Sequence, residues 1–551
     1  MHKLKPRMKE TKYIFVTGGV CSSLGKGIVA SSTASILKSA GLNVAIMKLD
    51  PYLNVDPGTM SPFQHGEVFV LDDGAETDLD LGHYERFIDT PLSKFCSVST
   101  GKVYSEVLAE ERDGKYLGGT IQIVPHITNK IQQKVELAAR KMKVDIMVVE
   151  IGGTVGDIEG EPFLEVLRQM KKKYKDNLIC MHLTLLPYLA ASKELKTKPT
   201  QISVRTLRAA GIAPEFIFAR ADVKIPRKIL KKISFFCDVD EDCVIPSETV
   251  SSIYEVPLNY EKFGLGETLA RKLNLGELKI DLSKWKEGVT KMKRAKSEIV
   301  IGLAGKYNDL DDAYLSVIEA VKSAGYFHGK KAVIEWIDTE KVEAGDEQEL
   351  AKLEEVAGIV VPGGFGNRGI EGKIKVAEFC RTTGKPYLGL CLGSQIMAIE
   401  FARNVLGIKK ATSEEFDIDE NDIEARYTNG KKYHIIHFME DQNVHRKKGG
   451  TMRLGLYPCV IKDDTKAREI YGEARIEERH RHRFEFNNKF REEFEENGFI
   501  ISGQSPNKAL VEIVEIKDHP FMVASQFHPE FLSKPFRPHP LFREFMDASL
   551  K

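Results

Sequence analysis

The chain has no excess of charge of either sign: Lys plus Arg and Asp plus Glu number 80 each in 551 residues. A nucleic acid or an anionic membrane therefore meets no global attracting field, and neither is an expected partner. Cysteine is sparse. Eight cysteines without closely paired spacing exclude a disulfide scaffold and read as reduced thiols of a cytoplasmic protein. No apolar run is long enough to span a bilayer. The basic stretch Met1 to Glu10 lacks the apolar centre of a signal peptide. Internal repeats and low-complexity segments are also lacking. What remains is an ordinary globular composition, 42% apolar and 29% charged, in a chain too long for one core.

Short apolar, β-branched runs alternate with helical patterns from Lys12 to about Asn274. Tyr13 to Val16, Val44 to Met47 and Asp145 to Val149 are three such runs. They suit strands buried on both faces, hence a parallel sheet flanked by helices. Between Leu275 and Ser297 the character changes. Asp281 to Lys296 is rich in Lys and Glu, with Leu282, Trp285 and Val289 at helical spacing, and predicts an amphipathic connecting helix. A second alternation starts at Ile299 to Leu303 and runs through Gly358 to Val361. The expected fold is α/β in two domains, residues 1–275 and 298–551, joined by a helical linker over 276–297.

The first motif is Thr17-Gly18-Gly19-Val20-Cys21-Ser22-Ser23-Leu24-Gly25-Lys26-Gly27, set between a strand and a helical pattern from Ile28 to Ala40. This is the layout of a phosphate-binding loop. Glycines let backbone N–H groups approach phosphate oxygens, the helix N-terminus favours anions, and Lys26 adds a point charge. Two departures stand out. The first glycine lies one position too far from Gly25, and Gly27 stands where Ser or Thr would ligate Mg²⁺. Phosphoryl chemistry needs a divalent cation, so other oxygens must hold it. Glu150, at the end of its apolar strand, is one candidate ligand. Asp78 and Asp80 are others, and spacing alone does not separate them because alternate residues of a strand share a face. A second polar cluster follows at Gly152 to Glu159, then Lys196 to Gln201, with Lys232 beyond. Such residues suit a ribose and a triphosphate, and a surface loop with ordinary charges explains them equally well.

The second motif is Gly389-Leu390-Cys391-Leu392-Gly393 after an apolar strand. Small residues permit a sharp strand-to-helix turn that leaves Cys391 at a helix N-terminus, where a thiolate is favoured. Pro362-Gly363-Gly364-Phe365-Gly366 supplies backbone N–H groups for an oxyanion hole. His528 is the candidate base and Glu530 the group that orients it. The run Arg479-His480-Arg481-His482-Arg483 is short and isolated. It fits recognition of a substrate carboxylate better than nucleic acid.

These segments resemble the CTP synthase family across nearly the whole chain, from about Lys12 onward. The resemblance covers Met47 to Tyr52, Asp56 to Pro62, Gln64 to Val68, Glu76 to Phe87, Glu150 to Glu159, Lys196 to Gln201 and Glu478 to Arg483, and the irregular phosphate loop is the family's own form. It implies an N-terminal P-loop, Rossmann-like synthase domain and a C-terminal class I glutamine amidotransferase domain. It further implies a ligase that aminates UTP to CTP with ATP and L-glutamine. ATP would lie on Ser23, Leu24, Gly25, Lys26, Gly27 and Ile28, with Mg²⁺ on Asp80 and Glu150. UTP, and CTP as inhibitor, would use Ser22, Asp157, Ile158, Glu159, Lys196, Thr197, Lys198, Pro199, Thr200, Gln201 and Lys232. Glutamine would be held by Gly364, Leu392, Gly393, Ser394, Gln395, Glu415 and Arg483 beside the triad Cys391, His528 and Glu530. The family also implies ammonia passed inside the protein, GTP as an allosteric activator, and a homotetramer with nucleotide sites between subunits. Cys21 and Ser394 replace other small or apolar residues of the family without removing a functional group. Two other architectures are distinguishable by assay. A switch ATPase with an inert amidotransferase-like domain would not need UTP, and a plain glutaminase or cysteine peptidase would not couple hydrolysis to ATP.

Overall fold

Lys12–Gly18 (β1) carries five consecutive aromatic or β-branched residues, and all but its first residue are buried. Burying Ile14, Phe15 or Val16 contributes on the order of 2 kcal/mol each. The computed structural model describes residues 10–306, 310–416, 433–439 and 452–551. Those residues divide into two compact units, Met1–Pro57 with Asp80–Val289, and Gly58–Leu79 with Thr290–Lys551. No helix among the described residues is long and apolar enough to cross a membrane.

In the first unit β1 leads through the glycine loop into Lys26–Ser39 (α1), then Val44–Asp50 (β2) and Asp80–Ile88 (α2). Ser97–Ser99 (β3), Ile146–Ile151 (β4), Leu178–Leu185 (β5), Lys198–Ala209 (α3), Phe216–Ala221 (β6), Arg227–Cys237 (α4) and Val244–Glu248 (β7) follow. The strands form one seven-stranded sheet in the order β7-β6-β5-β1-β4-β2-β3. Every pairing is parallel, which requires the helical crossovers seen in the sequence pattern. The expected connecting helix is Ser283–Arg294 (α5). Trp285 anchors its start by donating from Nε1 to the Tyr254 carbonyl at 2.7 Å and packing on Phe87.

The second unit contains Ser297–Gly305 (β8), Lys330–Asp338 (β9), Gly358–Val361 (β10), Ile370–Thr383 (α6), Tyr387–Leu390 (β11) and Leu392–Asn404 (α7). Arg453–Ile461 (β12), Arg475–His482 (β13), Phe499–Gln504 (β14), Val511–Ile516 (β15) and Met522–Ser525 (β16) complete a nine-stranded sheet, β9-β8-β10-β11-β16-β15-β14-β12-β13. Its β9-to-β16 half is parallel and the remainder antiparallel. Apolar clusters cover the sheet, one including Ile396, Met397 and Phe499 and the other Val317, Phe542 and Phe545. Residues Gly58–Leu79 belong to this unit although they lie far upstream in the chain. Their hairpin, Phe69–Val70 against Glu76–Thr77, is tied down by arginines of β13.

Candidate active sites

The phosphate loop begins where β1 ends. Val20, Ser23 and Gly25 all take positive φ, and Gly25 at φ 98° caps α1. Gly18 is required by Lys26, since a Cβ there would lie 2.8 Å from Lys26 Cδ. Lys26 Nζ donates to the Gly153 carbonyl at 2.8 Å, beside the acids of the site. Burial lowers the Lys26 pKa, with Glu150 opposing that shift.

Asp80 and Glu150 converge. Lys48 bridges them, donating to Asp80 Oδ2 and, at 2.9 Å, to Glu150 Oε1, while Tyr84 donates its hydroxyl to Glu150 Oε2. Burial disfavours the Lys48 cation, but the two carboxylates outweigh it and hold the ammonium well above its ordinary pKa. Burial likewise pushes Asp80 up, and Lys48 reverses the sign and keeps it low. The missing loop hydroxyl now has a steric explanation. A Cβ on Gly27 would sit 2.7 Å from Asp80 Oδ1 and 3.3 Å from Glu150 Oε2. The acids occupy the volume that Ser or Thr would need. An all-oxygen donor pair already gathered around one cation, the Lys48 ammonium, is a donor set that fits Mg²⁺.

Asp78 parts from Asp80. The short strand ends at Thr77, Asp80 opens α2, and Asp78 Oδ2 lies 4.0 Å from His65 Nδ1 in the second unit. Lys48 carried no assigned role in the sequence. Its signal was a lysine in a strand otherwise made for burial, and it lies directly opposite Glu150 in the β2–β4 register.

Of the second cluster, Ser22, Asp157, Ile158, Glu159, Lys198 and Lys232 are exposed, whereas Thr197 and Thr200 are buried. Asp157 accepts the Thr154 N–H at 2.9 Å, and Gln201 donates to Thr197 Oγ1 at 3.0 Å. Pro199 lies in the first turn of α3, with Thr197 at its N-cap.

In the second unit Cys391 occupies a strained turn between β11 and α7, at φ 51° and ψ −99°. Two glycines make the turn possible. A Cβ on Gly389 would fall 2.8 Å from the Gly393 backbone, and one on Gly393 only 2.2 Å from the Val361 carbonyl. Gln526 donates from Nε2 toward Cys391 Sγ at 3.6 Å, and Gln395 holds Gln526 Oε1 at 3.2 Å and the Phe484 carbonyl at 3.1 Å. His528 Nδ1 is 2.7 Å from Glu530 Oε1, and its ring stacks on Phe531 at 5.1 Å. Nε2 has no hydrogen-bond partner among the described residues. Burial opposes the imidazolium, yet Glu530 and then the neighbouring Cys391 outweigh it and raise His528 to about 10. A thiolate–imidazolium pair is the arrangement that attacks an amide and protonates its leaving nitrogen.

A cavity of about 280 Å³ opens beside the thiol, lined by Gly363, Gly364, Cys391, His528 and, from the inserted segment, Gly58 and Met60. Glu415 accepts the Gly366 N–H at 2.8 Å, and burial raises its carboxyl. Arg483 lies close enough to feel both Glu76 and Glu415, with burial the larger influence on it. Arg479 and Arg481, by contrast, recognise acids of this chain. Arg479 donates from Nε to Asp72 Oδ1 at 2.6 Å, and Arg481 from Nε to Glu76 Oε1 at 2.9 Å. Lys373 on α6 was also missed. Its Nζ is buried without a partner among the described residues, behind the Gly364 turn, and burial lowers its pKa to about 7.

The family model of the CTP synthase N-terminus matches residues 12–275, and that of class I glutamine amidotransferases matches 309–548. A CTP synthase of Carboxydothermus hydrogenoformans is 55% identical over 98% of this chain and 99% of its own. One from Bacillus subtilis is 52% identical with the same coverage. Among solved structures, the glutaminase domain of Trypanosoma brucei CTPS with bound acivicin is 35% identical, covering 46% of this chain and 94% of that one, at a TM-score of 0.41. With that identity along almost the full length of both sequences, the chain belongs to the CTP synthase family, the glutamine-hydrolysing ligases of pyrimidine biosynthesis.

Proposed function

We propose that the two units divide one amination between them. ATP lies on Ser23 to Ile28 and phosphorylates O4 of UTP, which turns a poor leaving group into a good one. Lys26 and Lys48 neutralise phosphate charge, and Asp80 with Glu150 hold Mg²⁺. A cation held there by Asp80 and Glu150 would offset the negative charge that develops on the phosphate during transfer. Ser22, Asp157 to Glu159, Lys196 to Gln201 and Lys232 hold UTP, or CTP as a competing product, in sites shared between subunits of a homotetramer. The synthase role falls to residues 1–275, the link to 276–297 and the amidotransferase role to 298–551.

In the second unit the Cys391 thiolate attacks the glutamine amide carbon, and backbone N–H groups of the Gly363–Gly364 turn receive the oxyanion. The His528 imidazolium delivers the proton with which ammonia leaves, and Glu530 keeps the ring aligned. Water then resolves the thioester to glutamate. Gly364, Leu392 to Gln395, Glu415 and Arg483 position the substrate. Ammonia travels inside the protein, because in bulk water it is largely protonated and non-nucleophilic, and displaces phosphate from C4. GTP activates the glutamine half. Eight free cysteines, seven of them buried, suit a cytoplasmic setting.

One observation carries this reading: a phosphate loop with a convergent acid pair and a complete thiol–imidazole–carboxylate set occur in a single chain. Ammonia released at the second is useful if an electrophile is made at the first. The test incubates the protein with UTP, ATP, Mg²⁺ and glutamine and follows CTP. Cys391→Ala should lose glutamine-dependent synthesis and keep synthesis from concentrated ammonium salt at mildly alkaline pH. Folded Cys391→Ala that loses both reactions equally would refute the division of labour. GTP should stimulate only the glutamine-dependent reaction, CTP should compete with UTP, and sedimentation should find tetramers favoured by UTP plus ATP.

A further inference from the structure

A buried chain of three side chains crosses from the phosphate loop to helix α3. Thr17 stands at the end of β1, immediately before Gly18, and lies opposite His182 in the β1–β5 register. His182 Nδ1 is 2.8 Å from Thr17 Oγ1, and His182 Nε2 is 2.8 Å from Ser203 Oγ on α3. All three residues are buried.

Proton positions follow from the acceptors. Thr17 donates its only hydroxyl proton to the Met181 carbonyl at 3.2 Å, so it accepts from His182 Nδ1–H. The neutral ring then accepts at Nε2 from the Ser203 hydroxyl. Burial, helped by the charge of Lys26, lowers His182 to about 3, so the ring stays neutral and this one tautomer persists. The loop itself rests on the far end of the chain. A Cβ on Gly19 would lie 1.8 Å from Ser203 Oγ and 3.2 Å from His182 Cε1. From Ser203, α3 runs back to Gln201, Thr200 and Lys198. The helix does not depend on His182 to stay docked. Thr184 also holds Thr200 at 2.9 Å, and Thr200 donates to the Leu185 carbonyl at 3.2 Å.

We propose that His182 is a positioning residue that couples the ATP loop to the pyrimidine-nucleotide helix of the same chain. Phosphates settling on the loop fix Gly19 and Thr17, which fixes the ring, Ser203 and the register of α3. A triphosphate on α3 acts in the opposite direction with the same free energy. The proposal rests on the nucleotide assignments above.

Calorimetry on the full chain tests it, titrating UTP with and without a non-hydrolysable ATP analogue and Mg²⁺. In the unaltered protein each nucleotide should tighten the other by roughly fivefold or more, reciprocally. Ser203→Ala removes one hydroxyl and leaves the Thr184–Thr200 tie. His182→Asn keeps a donor near Thr17, and His182→Gln keeps an acceptor near Ser203. In all three the mutual tightening should fall to within about twofold, while each nucleotide alone binds within about twofold of normal. Tightening that persists in these variants, or is absent from the unaltered protein, overturns the coupling. Lys26→Ala that binds the ATP analogue normally instead refutes the loop assignment on which it rests, a separate outcome.

Discussion

Arg481 donates from Nε to Glu76 Oε1 at 2.9 Å, and both side chains are largely withdrawn from water. Arg481 also reaches the Gly58 carbonyl at 3.3 Å and stacks over Phe365, 5.0 Å from its ring centre. One guanidinium thus joins the upstream hairpin, the start of its segment and the glycine turn that flanks Cys391. The cavity at the thiol owes part of its wall to residues that the linear order assigns to the other activity.

Removing that arginine should be costly. Arg481→Met takes away the cation bonded to the buried Glu76 carboxylate and leaves Arg483 as its remaining positive neighbour, a loss of about 1.5–3 kcal/mol. Denaturation of the variant should show it, with a raised KM for glutamine. Adding Glu76→Gln in the same chain should recover much of the stability, because that buried charge is then gone. A double variant no more stable than Arg481→Met would contradict the ion-pair account.

His528 should set the alkaline side of glutamine hydrolysis. The raised value of about 10 means that the imidazolium is retained far above the ordinary 6.5. Its stabilising interactions are complete below 6.5 and are lost as pH rises through about 10. Glu530→Gln removes the larger of the two favourable charges, so the alkaline limb of kcat/KM should move down by about one to three units. An unmoved limb would mean that another group controls it.

Gly27→Ser tests the claim that Asp80 and Glu150 have taken the place of a loop hydroxyl. The added Cβ meets Asp80 Oδ1 at 2.7 Å, so the acids must shift or the loop must open. CTP formation should collapse with glutamine and with ammonium alike, whereas glutamine hydrolysis should persist. A serine that preserves synthesis and Mg²⁺ dependence would disprove the exclusion.

Lys373 should be a source of instability near neutral pH. Its amine is buried, and its pKa falls from 10.5 to about 7. Between those values the unfolded chain binds a proton that the folded chain does not, so stability rises with pH across the window. Lys373→Met fills the same volume without a polar group and should stabilise by about 1–3 kcal/mol at pH 7. The pH slope of the melting temperature should shrink with it. A destabilised variant would show that the amine has a partner worth more than its burial costs.

The features legible in the sequence are those whose cause is local. The phosphate loop and the elbow announce themselves because Gly18, Gly389 and Gly393 each leave room for nearby atoms that a Cβ would crowd, while Gly25 takes a φ of 98° that favours glycine. Parallel strands were legible because burial on both faces demands runs such as Ile14 to Val16. Asp78 and Asp80 were inseparable because spacing of two means a shared face only while a strand continues, and here it stops at Thr77. The run Arg479 to Arg483 suggests an arginine for a substrate carboxylate without separating its members, because nothing near Arg479 and Arg481 signals partners in a distant hairpin. Lys373 looked like any helix lysine until the glycine turn closed over it.

The embedded hairpin also imposes an order in time. Glu76 precedes Arg481 by 405 residues, so at ribosomal speeds of about 5–20 residues per second it waits roughly 20–80 s for its partner. During that interval the emerging chain carries an acidic hairpin with nowhere to dock. The wall of the thiol pocket cannot meet the imidazole and its carboxylate until His528 and Glu530 have been made. A nascent chain that stops short of His528 would lack the proposed base, so on the proposed mechanism it could not release nitrogen from glutamine.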